Sequence, residues 1–192
     1  NKAAYAYVGT VEDADAEEAT RVLHHDWIDA GESGAAGLAC ATLLACDALP
    51  PLLARGGPPD ADFLQQPSLA NRRRLLQWLA QTVQSINGAM HARAQEDLKL
   101  RGMGCTLDVA LIRGGGVFTA HVGDSRIYIR RENTLYQLTE DHNFAQMLLS
   151  EGIIPKEEVA KHPQRNMLTR ALGPFPTVQI DSAFFELNAG DV

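Results

Sequence analysis

Residues 107–130 read LDVALIRGGGVFTAHVGDSRIYIR and show the clearest pattern of strands and turns in the sequence. Apolar residues alternate from Leu107 to Leu111, as in a strand that buries one of its faces. The RGGG sequence at residues 113–116 predicts a turn, and residues 117–122 predict a second strand. A tight turn at residues 123–125 ends that strand.

The pattern of strands and turns continues beyond this stretch. Residues 126–130 predict a third strand, residues 131–134 a turn, and residues 135–138 a fourth strand. The middle of the chain is therefore predicted to be an antiparallel meander. Residues 178–187 predict one more strand.

A long helix is predicted before the meander. Ser68 is its expected N-cap, and Gly102 is its expected end. The arginines at residues 72–74 are expected on a solvated face. Apolar side chains recur at helical spacing and predict one buried stripe: Leu69, Leu76, Leu79, Val83, Ile86 and Met90.

Shorter elements surround these. Residues 34–49 predict a small-residue helix, and residues 54–67, which contain several Gly and Pro residues, predict a loop. Residues 143–150 predict a short helix closed by Gly152, and Pro155 should open another. Helices and antiparallel strands in this order predict an α+β fold.

Composition limits the function classes. The 192 residues carry a formal net charge of −7, which argues against a nucleic-acid partner or an anionic membrane surface. Three cysteines without a CxxC pair suit a reducing compartment, and we expect them to be small buried residues. With no signal peptide and no long apolar run in evidence, a single cytoplasmic domain over residues 1–192 is predicted.

Asp124 is the clearest candidate for chemistry in the strand region. Its carboxylate lies on a tight turn between two predicted strands, where it could bind a hard cation through oxygen. Aspartate is also a common turn residue for purely local reasons, because its side chain accepts hydrogen bonds from nearby backbone N–H groups. From this motif alone the two interpretations stay open.

Four short motifs in one order resemble the metal-dependent (type 2C, PPM) protein serine/threonine phosphatases. They are GMGCT at residues 102–106, HVGDSRIY at 121–128, LTEDH at 138–142 and LTRALG at 168–173. The resemblance implies a four-layer αββα sandwich of two antiparallel sheets flanked by helices. It also implies a bacterial-type enzyme that hydrolyses phosphoserine or phosphothreonine in phosphoproteins. The partners of such an enzyme would be phosphoprotein substrates, with a cognate Ser/Thr kinase or the targets of that kinase among them.

The resemblance also implies a binuclear Mn or Mg centre. Asp29 would bridge the metals, the carbonyl of Ala30 and the carboxylate of Asp13 would add ligands, and Glu12 would hold a metal-bound water. Asp124 would bind an additional, more exposed ion, so an intact member holds two or three. For Asp13 a solvated acidic run, and for Asp29 a surface turn, are the alternatives.

Several positions depart from the family pattern. Val8 stands where the family has a phosphate-binding Arg, Ala30 replaces a Gly, and Glu32 and Ser33 replace two more. The family's Ser-Asp-Gly and Asp-Asn segments, which carry two further metal ligands, are expected C-terminal to residue 192. These departures leave two alternatives: a degenerate regulatory or partner-binding module with fewer or no ions, and a structural domain that shares only the hairpin motif.

Overall fold

The computed structural model describes residues 58–192, so the predicted helix at residues 34–49 lies outside it. Four α-helices occur in this part: α1 (Pro58–Gln65), α2 (Leu69–Glu96), α3 (Phe144–Ser150) and α4 (Lys156–Val159). A short 3-10 helix, Leu98–Leu100, follows α2. The strands are β1 (Leu107–Arg113), β2 (Gly116–Val122), β3 (Tyr128–Arg131), β4 (Thr134–Gln137) and β5 (Asp181–Glu186). The predicted α+β class, with helices beside antiparallel sheets, is confirmed.

The main sheet has the order β1-β2-β5, and both of its strand pairs are antiparallel. β1 and β2 are joined by a two-residue turn in which Gly114 and Gly115 both have positive φ, 55° and 79°. Such a pair suits a tight hairpin turn that matches the right-handed strand twist. Every residue of β2 is buried, because the strand lies between two others and is covered on both faces.

Helix α2 covers one face of this sheet. The predicted alternation in β1 is confirmed, since Leu107, Val109 and Leu111 are buried and belong to the same apolar cluster as the helix. Directly opposite residues on paired strands share a face, so Phe118 and Ala120 of β2 join them. The other face of the sheet carries Asp108, His121 and Asp181 at one end and the apolar Val117 and Phe185 at the other.

The start of α2 confirms the predicted N-cap. The Ser68 hydroxyl accepts a hydrogen bond from the Asn71 backbone N–H at 3.2 Å. The predicted apolar stripe is confirmed from Leu79 onward, and Leu76 packs partly buried against the core. Leu69 is 69% exposed, and Leu75 is a buried residue that the prediction missed. The helix ends at Glu96, earlier than the predicted stop at Gly102.

Arg72 corrects the expectation that the arginines at residues 72–74 are all solvated. Arg73 and Arg74 are exposed, but the Arg72 guanidinium lies 3.8 Å from the centre of the Phe184 ring on β5. A cation over an aromatic face is attracted by the ring's electrons. This contact joins the first turns of α2 to the far edge of the sheet.

Residues 58–65 are a helix, so the predicted loop at residues 54–67 is wrong there. The Gly and Pro residues of this segment predict a break, but proline fits the first turn of a helix, where the missing N–H is not needed. The helix places Phe63 in the core, with its ring centre 5.0 Å from that of Phe118 in an edge-on arrangement.

The predicted four-stranded meander is also wrong. β3 and β4 form a separate two-stranded sheet, and the second edge of β2 pairs with β5 instead. The reason is the turn after β2, where Gly123 has φ of 119° and the chain leaves the sheet. The predicted strand at residues 178–187 is confirmed in its centre as β5.

The small helices follow the predictions closely. The Asn143 side chain caps α3 by accepting a hydrogen bond from the Gln146 N–H at 2.9 Å, and Gly152 follows the helix with φ of 71°. Pro155 precedes α4 as its N-cap residue, one position before the predicted one. Cys105 is buried, as expected of the cysteines, while Cys40 and Cys46 lie outside the described residues.

The N-cap of α2 gives a first prediction. Ser68→Ala should lower the free energy of unfolding by about 1 kcal/mol, because one N–H of the first turn loses its partner. Chemical denaturation measures the change. Ser85→Ala is the matched control, since Ser85 is exposed and bonds back to the Gln81 carbonyl within the same helix. Its loss should be near neutral; equal losses from both variants would contradict the capping role.

Candidate active site

The Asp124 turn begins where β2 ends. Gly123 is buried and has φ of 119°, a conformation that side chains rarely adopt. A Cβ at this position would overlap the side chain of Thr106. Glycine is therefore required here, and it directs the chain so that Asp124 stands at the end of the sheet.

The Asp124 carboxylate is half-buried in an unfavourable electrostatic position. Burial raises its pKa, and the nearby Asp141 carboxylate raises it further. Its own backbone N–H, Arg126 and His121 oppose this, but the pKa stays above its ordinary value. A bound cation would relieve both the desolvation and the like charge, so the carboxylate suits a hard divalent ion.

Arg126 and Asp141 form a two-pronged ion pair next to Asp124. The Nε and a terminal nitrogen of Arg126 donate to the two oxygens of Asp141, each at 2.7 Å. The Asp141 side chain is 8% exposed, and the Asn143 amide also donates to it at 3.2 Å. Paired bonds of this kind fix geometry, so the turn at residues 123–126 is tied to the segment that carries LTEDH.

Three residues line up across the polar face of the main sheet. His121 on β2 lies directly opposite Asp108 on β1 and Asp181 on β5. We define the histidine network as these three residues together with His142 and Arg170. The His121 and His142 rings are 4.5 Å apart and tilted by 38°.

His121 is surrounded by acceptors. Its Nδ1 lies 2.5 Å from an Asp108 oxygen and its Nε2 lies 2.9 Å from the Glu140 carbonyl oxygen. Both ring nitrogens must donate, which assigns the imidazolium form. Burial lowers the pKa of His121, but the hydrogen bond and charge of Asp108 outweigh it, so the pKa is raised.

His142 is assigned the neutral form, in contrast to the charged His121. The Gly123 backbone N–H donates to its Nδ1 at 3.1 Å, so the neutral ring carries its proton on Nε2, which donates to an Asp181 oxygen at 3.0 Å. Arg170 donates to the other Asp181 oxygen at 2.7 Å. Burial lowers the pKa of His142, and the charges of His121 and Arg170 lower it further against the pull of Asp181.

Of the predicted metal-site residues, Asp124 lies at the centre of this region. Glu12, Asp13, Asp29 and Ala30 lie outside the described residues. Within residues 58–192 no group of three or more His, Cys, Asp or Glu side chains has the arrangement to hold a metal ion. In the same range, no helix is long and apolar enough to cross a lipid bilayer.

The histidine network was not predicted from the sequence. Its signals were present, because His121 begins HVGDSRIY, His142 ends LTEDH and Arg170 lies in LTRALG. A histidine inside a buried strand requires polar partners. The hairpin register places Asp108 opposite it, but β5 supplies Asp181 from sixty positions further along the chain.

Sequence comparison identifies the family. The family profile described as Protein phosphatase 2C matches residues 59–147. This segment belongs to the protein phosphatase 2C family. A Listeria welshimeri protein named serine/threonine phosphatase stp is 43% identical over 105 residues, which cover 55% of this chain and 42% of that protein. The chain therefore spans less than half of that relative's length.

Solved structures agree with this assignment to the phosphatase 2C family. The Mycobacterium tuberculosis serine/threonine phosphatase PstP/Ppp is 33% identical, with a TM-score of 0.67 over 84% of this chain and 61% of that one. The catalytic domain of PstP in complex with two manganese ions is 30% identical, with a TM-score of 0.54 over 84% and 58%. The resemblance stated from the four motifs is confirmed.

The second prediction concerns the stability effect of Gly123 in the turn after β2. Gly123→Ala should destabilise the fold by more than the about 1–2 kcal/mol that an unfavourable φ costs, because the new methyl group also overlaps Thr106. Gly115→Ala is the matched control, since its φ is 79° but the space around it is open. Thermal unfolding of both variants measures the difference, and a Gly123 variant as stable as the control would contradict the crowding.

The third prediction concerns the two histidines. At pH 6.5, their ordinary pKa, His121 should be more than half protonated and His142 less than half. Site-resolved NMR titration of the imidazole signals tests this. Asp108→Asn should lower the pKa of His121, because it removes the carboxylate that stabilises the charged ring. Equal midpoints for the two histidines would contradict the assigned protonation states.

The effect on stability follows from the direction of the His121 shift. Its pKa is higher in the folded state, so the stabilisation is complete below the unfolded pKa of about 6.5 and is lost as pH rises through the folded pKa. The lowered pKa of His142 acts in the opposite sense, with stability lost as pH falls below about 6.5. The loss above pH 6.5 should therefore be smaller in Asp108→Asn.

Proposed function

We propose that this chain is part of a metal-dependent protein phosphatase that hydrolyses phosphoserine and phosphothreonine at a binuclear Mn or Mg centre. The supporting observation is Asp124, a half-buried carboxylate with a raised pKa at the end of a buried strand, inside the segment that matches the family. The relatives are named as serine/threonine phosphatases, and the PstP structure contains two manganese ions.

The donor chemistry of the described residues fits such ions. Carboxylate oxygens prefer hard Mn or Mg over softer metals, and the pKa of Asp124 is raised by burial and by the Asp141 charge, both of which a bound cation would offset. We propose that Asp13, Asp29 and the Ala30 carbonyl complete the centre with Asp124, and that Glu12 holds a water there. When bound, paired divalent ions acidify a water nucleophile and neutralise charge on the phosphoryl oxygens.

In this proposal, residues around the turn after β2 position Asp124 for the metal centre. Gly123 and the Arg126–Asp141 ion pair fix the turn that carries Asp124. We propose that residues 1–192 belong to one phosphatase-like domain that acts on phosphoproteins, shares targets with a cognate kinase and works in the cytoplasm. The net charge of −7 is consistent with protein substrates rather than nucleic acid or anionic membranes.

The alternative from the sequence is a regulatory module without catalysis. Val8, Ala30, Glu32 and Ser33 favour it, because they replace an Arg and three Gly residues of the family pattern. Both functions use the same fold, so the distinction rests on metal binding and turnover.

The fourth prediction separates these functions. The protein at its natural length should hydrolyse p-nitrophenyl phosphate and a phosphothreonine peptide when Mn²⁺ is added, and EDTA should stop the reaction. Asp29→Asn should slow turnover by at least about a hundredfold, since a ligand shared by two ions is worth several kcal/mol of barrier.

Asp97→Asn is the control for Asp29→Asn. The Asp97 carboxylate caps the 3-10 helix by accepting the Lys99 N–H at 3.0 Å, a role that asparagine can keep. Its turnover should match the wild type. Absence of Mn²⁺-dependent turnover in the wild type, with Mn²⁺ affinity unchanged by Asp29→Asn, would favour the regulatory module.

A further inference from the structure

His142 forms two hydrogen bonds with Gly123, one to its N–H and one to its carbonyl. Its ring Nδ1 accepts the Gly123 N–H at 3.1 Å, and its own backbone N–H donates to the Gly123 carbonyl at 2.7 Å. Gly123 is the residue before Asp124, and its φ of 119° decides where the chain goes after β2. Two hydrogen bonds to one glycine fix the peptide planes on both of its sides.

The ring of His142 is itself held in place from the far side. It is 5% exposed, and its Nε2–H donates to Asp181, which Arg170 also holds. The Arg170 nitrogen lies 3.0 Å from Nε2, but both groups are donors, so this contact acts through charge and keeps the ring neutral. A neutral ring is required, because a proton on Nδ1 would face the Gly123 N–H.

We propose that His142 is a positioning residue that fixes the Asp124 carboxylate for a divalent cation by holding Gly123 from both sides. This inference rests on the proposed function for its metal. The Arg126–Asp141 ion pair holds the other end of the same turn, so Asp124 and Ser125 lie between two fixed points. Groups that orient a metal ligand affect affinity without touching the ion.

Two substitutions separate the two ends of the ring. In His142→Asn the side-chain oxygen stands near the place of Nδ1 and can accept the Gly123 N–H, but it does not reach Asp181. In His142→Gln the amide stands near the place of Nε2 and can donate to Asp181, but Gly123 loses its acceptor. The backbone bond from residue 142 to the Gly123 carbonyl is available in both.

The fifth prediction uses these variants in the protein at its natural length. Calorimetric titration with Mn²⁺ alone, compared with Asp124→Asn, identifies the binding that depends on Asp124. His142→Gln should weaken that binding by about tenfold or more, whereas His142→Asn should stay within about threefold of the wild type. Gly123 amide hydrogen exchange should be slow in the wild type and in His142→Asn, and fast in His142→Gln.

Each other outcome has a distinct meaning. Equal Mn²⁺ affinities for the Asn and Gln variants overturn the inference. Loss of Gly123 protection in both variants does the same, because it assigns His142 a general packing role. A wild type that binds no Mn²⁺ through Asp124 overturns the proposed function instead. If a variant does not fold, imidazole ¹⁵N shifts of the wild type decide, since a proton on His142 Nδ1 contradicts the geometry.

Discussion

β2 lies between two antiparallel neighbours, and this placement holds the core and the candidate site in one sheet. Its seven residues are all buried, and it presents a different chemistry to each side. Phe118 and Ala120 face the apolar surface of α2. His121 faces the polar side, where Asp108 and Asp181 flank it in register. One strand thus anchors the core and the candidate site together.

The apolar face supplies rigidity to the polar one. Three rings meet at the β2–β5 edge, with Phe118 4.8 Å from Phe184 and 5.0 Å from Phe63 between ring centres. Arg72 stacks over Phe184 from the helix. Contacts of this density hold the backbone of β2 and β5 in fixed positions. The hydrogen-bonding side chains on the opposite face are therefore attached to a fixed backbone, as electrostatic preorganisation requires.

Local features of this chain could be predicted from its sequence, while features that join distant segments could not. Ser68 predicts the start of its helix, because an N-cap side chain bonds to the backbone N–H three positions on. The alternation from Leu107 to Leu111 predicts which face of the strand is buried. Arg72 stacks on Phe184 instead of being solvated. Phe184 belongs to β5, far along the chain, so the sequence around Arg72 does not predict this contact. Asp124 could be predicted from its motif, but the motif does not reveal that the Asp141 carboxylate, which pairs with Arg126, lies near it. The remaining predicted ligands, Asp13 and Asp29, stay predictions.

The pairing of β2 with β5 has a consequence for the order in which the chain folds. His121 meets Asp108 across 13 positions, within one hairpin, but Thr119 reaches the Ala183 carbonyl across 64. Closing the longer loop costs more chain entropy and slows contact formation. The hairpin can therefore form early with His121 paired to Asp108, whereas Asp181 pairs with His142 and Arg170 later. During synthesis these contacts of Asp181 can form only after β5 has left the ribosome.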